Sequence, residues 1–257
     1  MRTFNGYHFT GIIPARYAST RFPGKPLAAI GNKPMIQLVY EQASLSLDTV
    51  FVATDDLRIY DAVVDFGGKA VMTSPQHETG TDRCAEAVKI ISKQEGIETD
   101  VVVNIQGDEP FIRPGQIDLL VSCFSDSSVN IATLVRQVKP GEDITNPNQP
   151  KAILDLSGNA IYFSRNVIPF IRGVVMKEWT QRHLFYKHIG MYAYRTETLE
   201  IITSLPCSLL EKAESLEQNR WLENGYRIRT AVTEWESLGI DTPDDLEKAK
   251  IFFDHFK

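Results

Sequence analysis

The sequence predicts an α/β fold in which helices cover both faces of a mostly parallel β-sheet. Over residues 9–72 the order is strand, helix, strand, helix, strand, which is typical of parallel strands joined by crossover helices. A Val-rich run at 100–105 has no polar alternation, as expected of a central strand that is buried on both faces. In such a sheet, ligands lie outside the carboxyl ends of the strands. The loops that follow the strands are therefore the expected positions of functional residues.

The composition fits one large α/β domain, or a domain with an appended lobe. The chain has 257 residues, of which 43% are hydrophobic and 23% are charged, so it can bury a sizeable core. Its formal net charge of −6 disfavours broad binding to nucleic acid or to a membrane surface, since those partners call for a basic face. Any anionic ligand must therefore meet a local cluster of cations.

Cysteine usage and hydrophobicity lead us to expect a cytoplasmic protein. Cys84, Cys123 and Cys207 stand far apart without a CxxC spacing, which fits a reducing compartment and disfavours a disulfide framework or a zinc site. No apolar run is long enough to span a bilayer, and residues 1–8 lack the apolar segment of a signal peptide.

The first predicted strand, 9–13, ends at Pro14 and opens a loop that carries Arg16, Arg21 and Lys25 among small residues. Backbone amides in turns that contain Ser and Gly can approach phosphate oxygens, while Arg and Lys supply charge and forked donors. The loop therefore predicts a polyphosphate site. A solvated surface loop is the alternative that local composition leaves open.

The other elements are predicted from periodicity and from the residues that start and stop helices. Residues 54–56 offer an N-cap, and Gly225 offers a C-cap. Thr242 caps the terminal helix and Pro243 starts it, which leaves Asp241 just outside the helix. The predicted helices cover 35–47, 54–66 with its cap, 82–94, 113–124, 196–203, 208–224 and the region after 243. The predicted strands after the first cover 49–53, 69–72, 100–105, 129–138, 151–156, 159–164, 187–194 and 226–232.

Two further loops lie at the same predicted edge as the cationic loop. Residues 77–83 separate a strand from a helix, and residues 106–110 follow the Val-rich strand. Asp108 and Glu109 are candidate metal ligands, because they stand at the exit of a buried strand. The alternative is that they only begin the turn that Pro110 completes.

A β-hairpin breaks the strand and helix alternation in the second half of the chain. A loop rich in Pro, Asn and Gly covers 140–150, and Ser157-Gly158 forms the predicted tight turn of the hairpin. The apolar and irregular segment 167–179 follows, and it could pack on a partner subunit.

Six segments, spread over nearly the whole chain, carry recognisable motifs. They are Gly-Ile-Ile-Pro-Ala-Arg-Tyr-Ala-Ser-Thr-Arg-Phe-Pro-Gly-Lys-Pro-Leu (11–27), Asn-Ile-Gln-Gly-Asp-Glu-Pro (104–110), Ile-Tyr-Phe-Ser-Arg (161–165), Lys-His-Ile-Gly-Met-Tyr-Ala-Tyr-Arg (187–195), Ser-Leu-Glu-Gln-Asn-Arg (215–220) and Gly-Ile-Asp-Thr-Pro-Asp-Asp-Leu (239–246). In this order the segments closely resemble the 3-deoxy-manno-octulosonate cytidylyltransferase (CMP-Kdo synthetase) family. Such a match is far more specific than any single motif.

The resemblance implies a Rossmann-like nucleotidyltransferase fold with an inserted β-hairpin dimerisation region. The whole chain, 1–257, would form one domain, with 150–195 as a smaller β-rich subregion for dimerisation and sugar binding. The implied reaction converts CTP and 3-deoxy-D-manno-octulosonate (Kdo) to CMP-Kdo and pyrophosphate, with Mg²⁺ as the cofactor. Such enzymes supply Kdo for lipopolysaccharide in Gram-negative bacteria, and they are typically cytoplasmic homodimers.

The resemblance also assigns roles to residues. The nucleotide-binding loop carries Arg16, Arg21 and Lys25, and a loop that helps to hold cytidine carries Arg83. A motif for nucleotide, sugar and metal carries Gln106 and Asp108, and the second metal aspartate corresponds to Asp241. Lys25, Asp108 and Asp241 are thereby the candidate catalytic residues. The regions that hold Kdo contain Arg165, His188, Tyr192, Glu211 and Glu214.

The chemistry of the implied reaction agrees with these residue types. Phosphoryl transfer depends mainly on positioning and on charge neutralisation, and Mg²⁺ prefers carboxylate and phosphate oxygens such as those of Asp108 and Asp241. Kdo carries a carboxylate, which Arg165 could bind with a forked pair of donors. His188 and Tyr192 share one face of a strand, so both could line a pocket, or both could simply pack.

The departures from the family pattern are small. Phe22 stands where many members have Leu, and Asn32 stands where Gly is common. The run at 207–211, Cys-Ser-Leu-Leu-Glu, differs from the commoner Pro-Leu-Glu form, which bears on the glutamates assigned there.

Two other functions stay open at the level of sequence. One is a cytidylyltransferase for another acidic sugar, such as sialic acid or 8-amino-Kdo, because these sugars share the carboxylate. The other is a catalytically silent nucleotide-binding protein, since a fold does not fix a function; Lys25, Asp108 and Asp241 speak against it. The Walker A and GxGxxG motifs are both absent, which disfavours P-loop hydrolases and dinucleotide oxidoreductases.

Overall fold

The computed structural model describes residues 3–18, 22–236 and 239–256. The strands in these ranges are β1 (Thr3–Phe4), β2 (Tyr7–Ala15), β3 (Ala29–Ile30), β4 (Lys33–Pro34), β5 (Val50–Thr54), β6 (Ala70–Met72), β7 (Val101–Asn104), β8 (Ile131–Gln137), β9 (Lys151–Leu154), β10 (Ala160–Ser164), β11 (Tyr186–Arg195) and β12 (Ile228–Thr233). The helices are α1 (Met35–Ser44), α2 (Leu57–Asp65), α3 (Gly80–Glu95), α4 (Pro114–Ser122), α5 (Trp179–Arg182), α6 (Thr196–Ile202), α7 (Leu209–Glu214), α8 (Gln218–Glu223) and α9 (Pro243–Phe256). None of the helices described is both long and apolar enough to cross a membrane.

The central sheet has a parallel core with antiparallel strands beside it. Its main order is β10-β9-β11-β7-β2-β5-β6, and β8 joins both β11 and β12. Strands β7, β2, β5 and β6 run parallel to one another, as β8 and β12 do. Strand β11 is antiparallel to β7 and to β8. The predicted mostly parallel α/β sheet is confirmed, with the alternating first half of the chain forming its core.

Helices cover both faces of the sheet because successive side chains of a strand point to opposite sides. Ile13 and Val103 belong to an apolar cluster that also contains residues of α1, α2 and α4. Their neighbours Ile12 and Val102 belong to a second cluster with residues of α3, α6 and α8. All four side chains are fully buried. The Val-rich segment is therefore the central strand that its sequence predicts.

The register of the parallel strands brings their carboxyl ends to one edge. Ala15 of β2 lies beside Thr54 of β5, and Ile12 lies beside Asn104 of β7. The three loops that follow β2, β5 and β7 consequently leave the sheet side by side.

The predicted helix at 208–224 is wrong in one respect, since it is two short helices, α7 and α8. Ser215 stands between them with a φ of 50°, in the left-handed region. A residue in this conformation ends a right-handed helix and costs about 1–2 kcal/mol. Glycine usually marks such a break, so a serine gave no signal in the sequence. The pair of short strands β3 and β4 and the single turn of α5 were also not predicted.

The predicted hairpin is present as the antiparallel pair β9 and β10. Strand β9 also pairs with the start of β11, so residues 151–195 extend the main sheet rather than forming a separate one. In the segment that follows the hairpin, Trp179 is buried in a small satellite core with Phe185. Phe170 and Val175 of the same segment are exposed.

A cluster of charged residues joins the loop after β8 to two strands. The Glu142 carboxylate accepts hydrogen bonds from Arg136 of β8, from Lys187 of β11 and from the Lys139 amide. Arg136 and Lys187 are both buried. Burial opposes the ionisation of Glu142, but these donors outweigh it and hold the pKa of Glu142 at about 2.

We predict that Glu142→Gln lowers the free energy of unfolding at pH 7, because buried Lys187 loses its carboxylate partner and buried Arg136 loses the nearer of its two, the other being Glu236. The pKa of Glu142 falls from an ordinary 4.5 to about 2 on folding, so its contribution is full above about pH 4.5 and is lost as the pH falls towards 2. Urea unfolding of the wild type and of Glu142→Gln at pH 7 and at pH 3 measures the effect. The difference between their free energies of unfolding should be smaller at pH 3. Glu95→Gln, at an exposed position of α3, is the control. An equal difference in the free energy of unfolding at pH 7 and at pH 3 would contradict the prediction.

Candidate active site

A cavity of about 300 Å³ lies at the edge where β2 and β7 end. Its lining comes from the loop after β2, the loop between β6 and α3, the turn after β7 and the segment before α9. The lining residues are Pro14, Ala15, Arg16, Lys25, Pro26, His77, Glu78, Thr79, Gly80, Arg83, Gln106, Gly107, Asp108 and Asp241. The cavity therefore occupies the edge at which the sequence predicts ligands.

Lys25 stands between two aspartates at this cavity. Its Nζ lies 2.6 Å from Oδ2 of Asp108 and 3.3 Å from Oδ1 of Asp241. The loop reaches this point through Gly24, whose φ is 70° and whose amide donates to the Tyr17 carbonyl. A Cβ on Gly24 would lie 3.1 Å from the Tyr17 ring, so glycine suits both the conformation and the space.

The backbone before α9 fixes Asp241 beside the turn after β7. The Ile240 amide donates to the Asp108 carbonyl at 3.0 Å. Thr242 caps the helix as predicted, since its Oγ1 accepts from the Asp245 amide at 3.2 Å. In return, Oδ2 of Asp245 accepts from the amides of Asp241 and Thr242. The backbone of Asp241 is therefore ordered by hydrogen bonds at the start of the helix.

Two cations assigned to nucleotide binding differ in their surroundings. Arg16 is exposed and lines the cavity. Arg83 also lines it but is only 3% exposed, and its guanidinium binds Thr73 Oγ1 at 2.6 Å and lies 3.5 Å from Asp55. Arg83 therefore ties the start of a cavity loop to α3, whatever else it contacts.

Gln106 connects the cavity to β11. Its Nε2 donates to the Gly190 carbonyl at 2.9 Å. Two residues before Gly190, the His188 ring contacts Thr133 Oγ1 at 3.0 Å, and burial lowers the pKa of His188 to about 3. The ring is therefore neutral at pH 7. The Tyr192 hydroxyl is buried and has no hydrogen-bond partner among the residues described.

The Arg165 guanidinium is bound to main-chain carbonyls. Its Nε donates to Glu214 at 2.6 Å, Nη1 donates to Pro147 at 3.0 Å and Nη2 donates to Ser215 at 3.2 Å. These three bonds hold the turn between α7 and α8 against the loop before β9. A guanidinium has five N–H groups, so two are not used by these contacts.

The two predicted sugar-binding glutamates also make local contacts. Glu214 accepts from Ser164 Oγ at 2.6 Å and from the Arg165 amide at 2.9 Å. Glu211 forms a capping box with Ser208 at the start of α7. Each carboxylate has thereby a structural role in this region.

The structure brings together about half of the residues that the sequence singles out. Those that line the cavity are Arg16, Lys25, Arg83, Gln106, Asp108 and Asp241. Those outside its lining are Arg165, His188, Tyr192, Glu211 and Glu214. Arg21 lies outside the described residues.

Three residues at or near the cavity, His77, Glu86 and Glu217, were given no role from the sequence. His77 lines it and contacts Glu86 of α3. Glu217 accepts from Thr81 Oγ1 at 2.6 Å at the start of α3, and burial raises the pKa of Glu217. His77 could have been found, because it lies in a loop at the predicted ligand edge. Thr81 and Glu217 are 136 positions apart, so no local pattern in the sequence shows their contact.

The donor set of the cavity fits a hard divalent cation such as Mg²⁺. Asp108 and Asp241 offer carboxylate oxygens that already share one ammonium group. In the part of the chain that is described, no three His, Cys, Asp or Glu side chains gather to hold a metal ion. Mg²⁺ commonly takes one or two carboxylates and completes its shell with phosphate oxygens and water. The two aspartates therefore suit a metal that arrives with a phosphate ligand.

A model of the cytidylyltransferase family matches residues 10–228. A protein of Parabacteroides distasonis named 3-deoxy-manno-octulosonate cytidylyltransferase is 59% identical over 248 residues, which cover 95% of this chain and 97% of that protein. A protein of the same name from Thermodesulfovibrio yellowstonii is 51% identical over 244 residues, with coverages of 93% and 95%.

Solved structures are also similar. A CMP:2-keto-3-deoxy-manno-octonic acid synthetase complexed with CTP matches with a TM-score of 0.86 at 41% identity, over 96% of this chain and 99% of that one. The 4-diphosphocytidyl-2C-methyl-D-erythritol synthase of Anaerococcus prevotii matches with a TM-score of 0.62 at 12% identity, over 97% and 99%. The second likeness shows the fold alone, and the first confirms the nucleotidyltransferase fold.

Proposed function

The chain belongs to the cytidylyltransferase family, among the 3-deoxy-manno-octulosonate cytidylyltransferases, and from that premise we propose that the cavity beside Lys25 binds CTP. The enzyme transfers the cytidylyl group of CTP to the anomeric hydroxyl of Kdo, which gives CMP-Kdo and pyrophosphate. We propose further that its product serves lipopolysaccharide synthesis.

One observation carries the assignment of the cavity. A lysine and two aspartates from three distant parts of the chain converge at the carboxyl ends of parallel strands. Phosphate groups bind in this position in open α/β sheets. An ammonium group can neutralise phosphate oxygens, and the carboxylates can hold the cation that accompanies a triphosphate.

The residues of the chain would act mainly by position and charge. Lys25 and Arg16 would bind the triphosphate and offset the charge that develops on pyrophosphate as it leaves. We assign Arg21 to the same task from its place in the motif. Gln106 would lie between the two substrates, since it lines the cavity and contacts β11. Arg83 would shape the cytidine side of the cavity through its contact with Thr73.

The reaction uses a divalent metal, and we propose that the metal is Mg²⁺ held by Asp108 and Asp241. A bound Mg²⁺ supplies charge neutralisation on the triphosphate and lowers the cost of attack at the α-phosphorus. Lys25 contacts both carboxylates, and all three residues line the cavity.

We propose that Kdo lies on the β11 side of Gln106. The buried hydroxyl of Tyr192 and the neutral ring of His188 are polar groups that could serve sugar hydroxyls. Arg165 would use its two remaining N–H groups for the Kdo carboxylate. Glu211 and Glu214 would act from the same region, through a sugar hydroxyl or by holding the α7 segment in place.

The assembly and location of the enzyme are also proposals. We propose a cytoplasmic homodimer of single-domain chains, in which the subregion 150–195 contributes to dimerisation and to the sugar site. Support comes from the exposed apolar side chains of Phe170 and Val175.

Release of pyrophosphate tests the function directly. With CTP, Mg²⁺ and Kdo the enzyme should release pyrophosphate, and omission of any one of them should stop it. A substrate panel with sialic acid and 8-amino-Kdo tests the rival sugars. CTP binding without turnover on any acidic sugar would instead support a catalytically silent protein.

We predict that Asp108→Ala and Asp241→Ala each lower turnover by about 100-fold or more at saturating Mg²⁺, because each removes a proposed metal ligand. Asp244→Ala is the matched control for the second variant, since Asp244 is exposed and three positions further along. Its turnover should stay close to that of the wild type. Near-normal turnover of either test variant would refute its assignment.

We predict that Arg165→Lys raises the KM for Kdo by about tenfold and the KM for CTP much less, because an ammonium cannot reproduce the planar fork. The guanidinium also joins three segments, so the melting temperature should fall as well. Steady-state kinetics and thermal unfolding measure the two effects. Equal increases in both KM values would show that Arg165 serves stability alone.

A further inference from the structure

One wall of the CTP cavity is formed by the loop 73–79, which runs from β6 to α3. His77, Glu78 and Thr79 of this loop line the cavity. The loop has no helix or strand of its own, so its shape depends on contacts with neighbouring elements. Among the residues described, the side-chain hydrogen bonds that join it to another element are made with α3.

Each end of the loop is held by its own contact. At the start, Thr73 accepts a hydrogen bond from the buried Arg83 guanidinium at 2.6 Å. At the end, Thr79 caps α3 by accepting from the Asp82 amide at 3.1 Å. These two contacts fix where the loop begins and ends, but neither reaches its middle.

Glu86 holds the middle of the loop. Its Oε2 accepts from the Ser74 amide at 2.7 Å and contacts His77 Nε2 at 2.6 Å. One carboxylate oxygen of Glu86 therefore contacts both the Ser74 amide and the His77 side chain, which lines the cavity. Burial opposes the ionisation of Glu86, but the Ser74 amide and His77 outweigh it and hold the pKa of Glu86 below its ordinary value.

Glu86 does not itself line the cavity. It lies two turns into α3, a helix whose buried apolar side chains pack in the core. Its hydrogen bonds reach the cavity through the loop.

We propose that Glu86 is a positioning residue for nucleotide binding, which fixes His77 and the 73–79 wall in the shape that fits CTP. The inference rests on the proposed assignment of the cavity to CTP. Without the carboxylate, the middle of the loop would sample other shapes, and the cost of ordering it would be taken from the binding of CTP. The proposed Kdo region lies along β11, so the binding of Kdo should change little.

The test compares Glu86→Ala with Glu95→Ala, a control on an exposed position of the same helix. We expect Glu86→Ala to raise the KM for CTP by about tenfold, which corresponds to about 1.4 kcal/mol of lost CTP binding. The KM for Kdo should stay within about twofold of the wild-type value. CTP affinity measured by calorimetry without Kdo should fall by the same factor. Glu86→Gln keeps one hydrogen-bond acceptor and should recover part of the loss, and it replaces Glu86→Ala if that variant does not fold.

Two outcomes overturn the inference. An unchanged CTP affinity would show that the loop keeps its shape without Glu86. Equal losses for CTP and Kdo would show a general structural role. Asp241→Ala is measured beside these variants: if it loses turnover while Glu86→Ala does not lose CTP affinity, the inference fails and the proposed function stands. If Asp241→Ala also behaves as the wild type, the assignment of the cavity itself is wrong.

Discussion

The contact of one lysine with two aspartates is the interaction on which the cavity depends. Lys25, Asp108 and Asp241 come from the loop after the first long strand, the turn after the central strand and the start of the last helix. Two carboxylates repel each other at short range, and a cation between them removes that cost. In the proposed function the same groups meet opposite charges, since the carboxylates would bind a metal and the ammonium group would bind a triphosphate. The Lys25 ammonium group therefore joins three distant parts of the chain at the cavity.

Buried cations have a second, structural use around the proposed sugar region. Lys151 is fully buried, and its Nζ donates to the carbonyls of Asn146, Gln149 and Arg165. Burial, together with the nearby Lys187, lowers the pKa of Lys151. The Arg165 guanidinium donates in turn to the carbonyl of Pro147 in the same loop. The irregular loop before β9 is thus ordered by hydrogen bonds from Lys151 and Arg165 to its carbonyls. These bonds hold the loop in place without a large apolar core.

The fold followed from local patterns, while most residues of the nucleotide half of the site came from the family resemblance. Alternating strands and helices predicted the parallel sheet, the Val-rich run predicted the central strand, and the cap at Thr242 predicted that Asp241 lies just outside the last helix. The sugar half was less accessible to such reasoning. Arg165 and Glu214 make contacts with each other and with main-chain groups, and no spacing reveals a partner that is a carbonyl. The break at Ser215 was missed because no glycine marks it, and the contact between His77 and Glu86 was missed because no local pattern pairs these two side chains.

The proposed function requires that Mg²⁺ and CTP meet at Asp108 and Asp241. Calorimetry of CTP binding, with and without Mg²⁺, measures this for the wild type and for the Asp108→Asn/Asp241→Asn double variant. We expect Mg²⁺ to strengthen CTP binding to the wild type by about tenfold or more, and the double variant to lose this gain. A double variant that keeps the full gain from Mg²⁺ would contradict the assignment of Asp108 and Asp241, because the metal would then be held elsewhere.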